Sequence, residues 1–559
     1  MDLRKQNMLA FLEERTNDYA DRIALGIGTH FGWKEFTYQG IGLLSRKLAY
    51  YLINDLQIKK GENLAILSES KPEFGACVFA SILAGLVTVP LDIKLTKYEL
   101  HSILSDCQPT VMLVSKAYAE LALELQKEIS SIKHILVMDE PAYHSELTSI
   151  YELPANYESK WRHRSSKATM LIIYTSGTMG APKGVEITFR NMFTQLNDVK
   201  EALASVFPNK NKHIKILSIL PMNHLLELTV GFSTFLNLGF SVYYTQSLKP
   251  KDILAAMREK QIGFMLVVPA FLKLLKTSIE NELNNAPKFA QAAFKVMYNT
   301  AKYVPSSTLK KLMFKKIHDK FGGHFECCFS GGAPLDPEVG TFFETIGIKI
   351  YHGYGLSEAA PVVSANIKKR QMFTSVGLPM RHLQVRVDPK NGELLVKGPQ
   401  VMKGYHNQPE LTAEAIDQDG WLHTGDIAEI DKDGYIYITG RIKNMIVLSG
   451  GKKVMPEEVE AVLESSPYFA EVCVLGIPRT GGAKDGTEDV AVVIVPKDEY
   501  IKHYDDETLD KMMRTEVKQL SQKLASYKRP VNIIVKKEPL PRTTTRKVKR
   551  KDVKELVNA

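Results

Sequence analysis

Short apolar runs recur through the first two-thirds of the chain, with segments of helical spacing between them. NLAILSES (63–70), VTVPLD (87–92), TVMLVS (110–115), HILVMD (134–139) and MLIIYTS (170–176) come first. IKILSIL (214–220), SVYYT (241–245), GFMLVVP (263–269), HFECCFS (324–330) and IKIYHGYG (348–355) continue the series. Between the first two lies KPEFGACVFASILAGL, which has the length and spacing of a helix. Strands that are apolar on both faces need helices above and below, so the pattern predicts layered parallel α/β structure. Ligands of such sheets bind beyond the carboxyl ends of the strands, and the unusual sequences fall there.

From about residue 376 the pattern changes to short β segments punctuated by turns: PKNGELLVKG, QDGWLHTGD and DKDGYIYITG. This predicts a small β-barrel-like part over about 376–440 that finishes a large domain spanning 1–442. A small mobile α+β domain is expected over 443–559. The length of 559 residues suits three to four folding units at about 150 residues each. Five widely spaced cysteines with no CxxC pair suit a reducing compartment, and Cys327 and Cys328 read as buried small hydrophobes.

The N-terminus, MDLRKQNMLAFLEERTNDYADRIALG, lacks the unbroken apolar core of a signal peptide. The most apolar stretch, 228–244, is short for a membrane span and carries Asn237 and several hydroxyls, so it reads as a buried element. The terminal LVNA is neither a peroxisomal nor a retention tripeptide. A cytoplasmic protein is expected. Net charge is +9, and nine Lys or Arg against two acids between Lys536 and Lys554 account for +7 of it. That tail calls for an anionic partner, such as a polyanionic ligand or a membrane surface met peripherally. No aromatics are interleaved with its basic residues, so nucleic acid is not expected.

YTSGTMGAPKGV (174–185) follows an apolar strand and combines three glycines, three hydroxyls and Lys183. Glycines let backbone N–H groups approach an anion, and hydroxyls and a lysine add donors, so the loop suits phosphate. It is not a Walker A loop, because Gly184 follows Lys183 where Ser or Thr is required. GYGLSE (353–358) opens like a dinucleotide fingerprint but ends in Glu358. A carboxylate there repels pyrophosphate unless Mg²⁺ lies between them, so phosphate binding with a metal-directed glutamate is the coherent combination.

In order along the chain stand YTSGTMGAPKG, LPMNHLLE (220–227), SGGAP (330–334), YGLSE (354–358) and GWLHTGD (420–426). GRIKNMIVLSGGKKVMPEEVE (440–460) and PRTTTRKVKR (541–550) complete the set. With these seven collinear motifs the chain resembles the adenylate-forming superfamily of acyl-CoA synthetases, nonribosomal adenylation domains and luciferases over nearly its whole length. The long stretch at about 276–323 is similar to the long-chain fatty acyl branch.

The resemblance implies ATP, Mg²⁺ and coenzyme A as reactants or cofactors, and a fatty acid as the acid substrate. It assigns phosphate contacts to Thr175, Ser176, Gly177, Thr178, Gly180 and Lys183. Tyr354 and Gly355, with the backbone of Gly331, Gly332, Ala333 and Pro334, are implied to form the adenine pocket. Ser357 would meet the α-phosphate, Glu358 would ligate Mg²⁺, and Asp426 with Arg441 would hold the ribose. His224 is placed near the reacting carboxylate, and not as a general base, since that carboxylate is already ionised at neutral pH. Lys443 takes the hinge position, and Gly450 and Gly451 line a pantetheine channel. Lys547 takes the place of the adenylating lysine, with Arg546 where glycine is usual and Lys549 as the neighbouring alternative. Met179 stands where threonine is usual.

The expected activity is long-chain fatty acid–CoA ligation through an acyl-adenylate. An acyl carrier protein in place of CoA is the first alternative, and a non-catalytic membrane- or nucleic-acid-binding protein is the remote one.

Overall fold

The computed structural model describes residues 8–140, 147–175, 182–207, 213–367, 372–448, 452–478, 488–542 and 548–558. Two compact units emerge, one of residues 1–384 with 396–422, the other of 385–395 with 423–559. The division runs through the β-rich region. Gly440 has local reason to side with the C-terminal part, since its Cα lies against Met455 and Glu457. Asn444 also donates to Glu457 at 2.9 Å.

The first unit holds two large sheets. In the eight-stranded sheet Gly404–Tyr405, Lys183–Thr188, Thr169–Thr175, Val87–Leu91, Asn63–Leu67, Val111–Val114, His134–Val137 and Thr148–Ser149 follow one another. All pair in parallel except Lys183–Thr188 and Gly404–Tyr405, which run antiparallel at one edge. In the nine-stranded sheet, Lys349–Gly355, Cys327–Ser330, Phe264–Val267, Lys215–Ser218, Ser241–Tyr244 and Ile23–Thr29 form a parallel block. Antiparallel strands finish both of its edges, Gly32–Thr37 at one and Val362–Asn366 with Leu378–Pro379 at the other.

Every apolar run singled out above becomes a strand, buried as its composition requires. The stretch from 228 to 244 folds as a buried π-helix, Glu227–Thr234, then a short helix and the strand Ser241–Tyr244. All five cysteines are buried, and none of them forms a disulfide. No helix among the described residues is long and apolar enough to cross a membrane.

The second unit pairs a four-stranded antiparallel sheet, which includes Leu422–Ile430 and Ile436–Arg441, with a three-stranded one. In the latter, Phe469–Pro478 alternates from Val472 onward and Glu488–Pro496 from Val490 onward. Val472, Val474, Val492 and Ile494 face a core with Val459, Leu463, Met513 and Val517. Cys473, Leu475, Ala491 and Val493 face the opposite core, with Leu540 and Val553. Period-two alternation thus builds a helix-covered layer on each side.

Candidate active site

Three candidate segments lie at the carboxyl ends of parallel strands in one sheet. His224 follows Lys215–Ser218, the Gly331–Pro334 backbone follows Cys327–Ser330, and Tyr354–Glu358 ends Lys349–Gly355. The turn after Cys327–Ser330 depends on Gly332, whose φ is +82°. Gly331 abuts Leu226, two residues from His224, so these two strand ends meet. The His224 carbonyl accepts from Leu228 N–H at 3.0 Å, which ties the histidine to the start of the buried π-helix. At Gly355 a Cβ would fall 1.9 Å from the Pro361 carbonyl oxygen, so the chain can return only with glycine there. That return places Ser357 and Glu358 in a single 3₁₀ turn, with both side chains partly exposed.

The phosphate-loop candidate is rooted in the other sheet. Thr175 and Lys183 are register partners across the antiparallel pair, and Thr175 Oγ1 donates to the Lys183 carbonyl at 3.5 Å. Residues 403–407 run alongside as an edge strap. Tyr405 Oη donates to Glu358 Oε1 at 3.0 Å, and Lys183 Nζ lies 5.1 Å from the centre of the Tyr405 ring. One aromatic side chain therefore touches the two opposite charges that the sequence assigned to metal and phosphate. Lys183 and Glu358 form no ion pair with each other among the described residues, which leaves both charges available to a ligand. Burial and the Glu358 carboxylate push the Tyr405 hydroxyl far above its ordinary value, so it stays a donor.

The rest of the strap is held by charge. Glu186 accepts from His406 Nδ1 at 2.7 Å and Lys403 Nζ at 2.6 Å. Burial raises the Glu186 carboxyl, but hydrogen bonds from His406, Lys403 and Thr169 outweigh it and hold it at about 2. The same bond raises His406 from its ordinary 6.5. Asp106 accepts from Tyr174 Oη at 2.5 Å and Asn407 Nδ2 at 3.1 Å, fixing the strand just before the loop.

In the second unit Asp426 and Arg441 are register partners, and Arg441 Nε lies 2.6 Å from Asp426 Oδ1. Asp426 is buried, and this pairing orients its carboxylate. Lys443 lies exposed in the 3₁₀ turn Ile442–Asn444.

Ser176, Gly177, Thr178, Gly180, Gly450, Gly451 and Lys547 lie outside the described residues. The structure brings Lys183 to Glu358 through Tyr405, the Gly331 turn to the His224 segment, and Asp426 to Arg441. Sequence reasoning missed Tyr405. Its one local signal was an aromatic after glycine in KGYHN, and its partner lies 47 residues away.

Comparison with known proteins points the same way. The AMP-binding enzyme family matches residues 12–406, and the AMP-binding enzyme C-terminal domain matches 458–547. The long-chain-fatty-acid–CoA ligase of Salmonella typhimurium is 28% identical over 591 residues, covering 99% of this chain and 95% of its own. The long-chain-fatty-acid–CoA ligase FadD15 of Mycobacterium bovis is 28% identical over 488 residues, 84% of this chain and 80% of its own. Among solved structures, O-succinylbenzoate coenzyme A synthetase (MenE) of Bacillus subtilis, in complex with ATP and magnesium ion, superposes with a TM-score of 0.73. It is 23% identical and covers 97% of this chain and 99% of its own.

Proposed function

The chain belongs to the AMP-binding enzyme family, and from that premise we propose that it ligates long-chain fatty acids to coenzyme A at the expense of ATP. The observation that carries the reading is the Lys183–Tyr405–Glu358 arrangement, which sets a cation and a carboxylate side by side at the strand ends. The names of the Salmonella and mycobacterial relatives support the acid and the acceptor.

A carboxylate resists attack by a thiol because its leaving group would be oxide. In the first step its oxygen attacks the α-phosphorus of ATP, the bond to the β-phosphate oxygen breaks, and pyrophosphate leaves. In the second, the thiolate of CoA attacks the acyl carbon and AMP leaves with the electron pair. Both steps bring anions together, so charge compensation dominates.

Lys183, with Thr175, Ser176, Gly177, Thr178 and Gly180, takes the β- and γ-phosphates. Tyr354, Gly355 and the 331–334 backbone take adenine, and Ser357 takes the α-phosphate. Asp426, oriented by Arg441, takes the ribose hydroxyls. His224 lies by the acid carboxylate, Lys547 bridges it to the α-phosphate, Lys443 serves as hinge, and Gly450 and Gly451 line the thiol's path.

No cluster of three or more His, Cys, Asp or Glu among the described residues is arranged to hold a metal alone. A single carboxylate at Glu358 fits an ion that keeps waters and takes its other ligands from phosphate, as Mg²⁺ does. Bound there, Mg²⁺ would neutralise phosphate charge.

The test is ATP–pyrophosphate exchange across acids of graded chain length, followed by acceptor assays with CoA and with holo-acyl carrier protein. Exchange that rises with chain length, then thioester formation on CoA, is expected. Transfer to the carrier protein alone would move the activity to acyl-carrier-protein ligation, and no exchange with any carboxylate would remove the enzyme reading.

A further inference from the structure

Residues 284–318 contain seven lysines and no aspartate or glutamate. This stretch forms the helix Lys288–Ala301, a loop, the helix Ser307–Met313 and most of Lys315–Lys320, all within the first unit. A helix turns 100° per residue, so positions seven apart lie about 20° from one another. Phe289, Val296 and Tyr303 therefore form one stripe along the first helix and its end, and Lys288, Lys295 and Lys302 form the stripe beside it.

The opposite face is spoken for. Phe294, Met297 and Tyr298 pack on the core, with Phe294 5.6 Å from Phe314 and Tyr298 5.9 Å from Phe342, centre to centre. The apolar stripe faces water instead, with Phe289 77%, Val296 67% and Tyr303 88% exposed. Leu309 and Leu312 on the next helix continue it at 55% and 72%.

Some of the cations are held within the fold. Lys315 pairs with Asp319 at 2.8 Å and Lys310 donates to the Glu344 carbonyl at 3.1 Å. Lys302 lies over the Tyr298 ring at 5.2 Å. Lys288, Lys295, Lys302 and Lys316 meet no acid among the described residues.

We propose that this face, from Phe289 to Lys316, docks on an anionic lipid bilayer. Exposed aromatic and aliphatic side chains supply insertion into the headgroup boundary, and lysines beside them reach the phosphates with their stems along apolar surface. The exposed side chains belong to a stretch with seven lysines and no acid, which suits a soft, planar anionic surface better than a matched protein groove. The inference rests on charge and exposure in this face, and it stands whichever acid the enzyme activates.

The test is flotation of the full-length protein with vesicles of phosphatidylcholine, alone or mixed with an equal amount of phosphatidylglycerol. Binding to the mixed vesicles that weakens as salt is raised is expected, with little binding to phosphatidylcholine. Each surface lysine contributes about a fivefold factor, so K288Q/K295Q/K302Q lowers partition about a hundredfold. F289S/V296S/Y303S lowers binding while leaving the melting temperature and pyrophosphate exchange at wild-type values. The tail variant K536Q/K551Q binds as wild type.

Failure of the wild type to float with the mixed vesicles would overturn the proposal. So would wild-type binding by both triple variants, or loss of binding in the tail variant alone. Concentration-dependent dimerisation abolished by F289S/V296S/Y303S, with vesicle binding unaffected, would instead assign the face to a second copy of the chain.

Discussion

The tail from Lys536 to Lys554 and the stretch from 284 to 318 each carry an excess of seven positive charges. Among the described residues of the tail, six cations meet acids of their own unit. Arg550 pairs with Glu457 at 3.1 Å and also with Glu460, Arg542 pairs with Glu471 at 2.9 Å, and Lys554 with Glu488 at 3.0 Å. Lys537 meets Asp506, Lys549 meets Asp552, and Lys551 meets Glu555. In 284–318 Lys288, Lys295, Lys302 and Lys316 face solvent and meet no acid among the described residues. Equal charge in the sequence thus becomes internal cross-linking in one region and an outward field in the other. What differs is where the chain brings its acids.

The largest effects should come from breaking the tail's internal pairs. Arg550→Ala strands two partly buried carboxylates and should cost about 3 kcal/mol of unfolding free energy, read by denaturant titration. A cost near zero would mean that the tail's charge is no more structural than that of 284–318. Lys547→Ala separates the tail's chemical charge from its structural ones. Acyl-adenylate formation should fall by about 10²–10³ or more, with stability and thioester formation from supplied acyl-adenylate largely intact. Adenylation near the wild-type rate would withdraw the one catalytic role given to the tail.

Tyr405→Phe keeps the ring under Lys183 and removes the hydrogen bond to Glu358. Adenylation should drop about tenfold and the Mg²⁺ concentration for half-maximal exchange should rise, at nearly unchanged melting temperature. Equal Mg²⁺ dependence in the variant and the wild type would reduce Tyr405 to packing.

The Glu186–His406 pair brings pH into the comparison. Glu186 is depressed to about 2, so its contribution is present above its ordinary 4.5 and is lost as pH falls from there toward 2. His406 is raised, so its contribution is complete below its ordinary 6.5 and is lost as pH rises through the raised value. His406→Gln should flatten that alkaline decline in melting temperatures taken across neutral to basic pH. Smallest of all, Lys288→Ala should change stability by no more than about 0.5 kcal/mol, because nothing in the fold depends on that charge.

Much of the fold was legible in the sequence. Apolar runs such as TVMLVS and GFMLVVP became buried parallel strands within a residue or two of their expected ends. The carboxyl ends of those strands hold His224, the 331–334 turn and Glu358, where the pattern placed them. The N-terminal strands Ile23–Thr29 and Gly32–Thr37 were not legible. Ile23–Thr29 owes its place to pairing with Ser241–Tyr244, more than 200 residues on, and Gly32–Thr37 pairs with Ile23–Thr29 in turn. Tyr405 escaped for the same reason, since nothing near it in the chain announces Glu358 as its partner.

By itself the sequence determined the layered α/β class and the strand positions, including the strand end at Thr175 that Lys183 faces. Apolar periodicity and glycine chemistry are local properties, written into neighbouring residues. The tertiary structure decided which charges are consumed and which are presented. It gave Arg550 to Glu457 and Glu460, set Tyr405 between Lys183 and Glu358, and left Lys288, Lys295 and Lys302 facing outward. Ion pairs and single hydrogen bonds join residues far apart in the chain, so their partners are fixed only when the sheets and helices assemble.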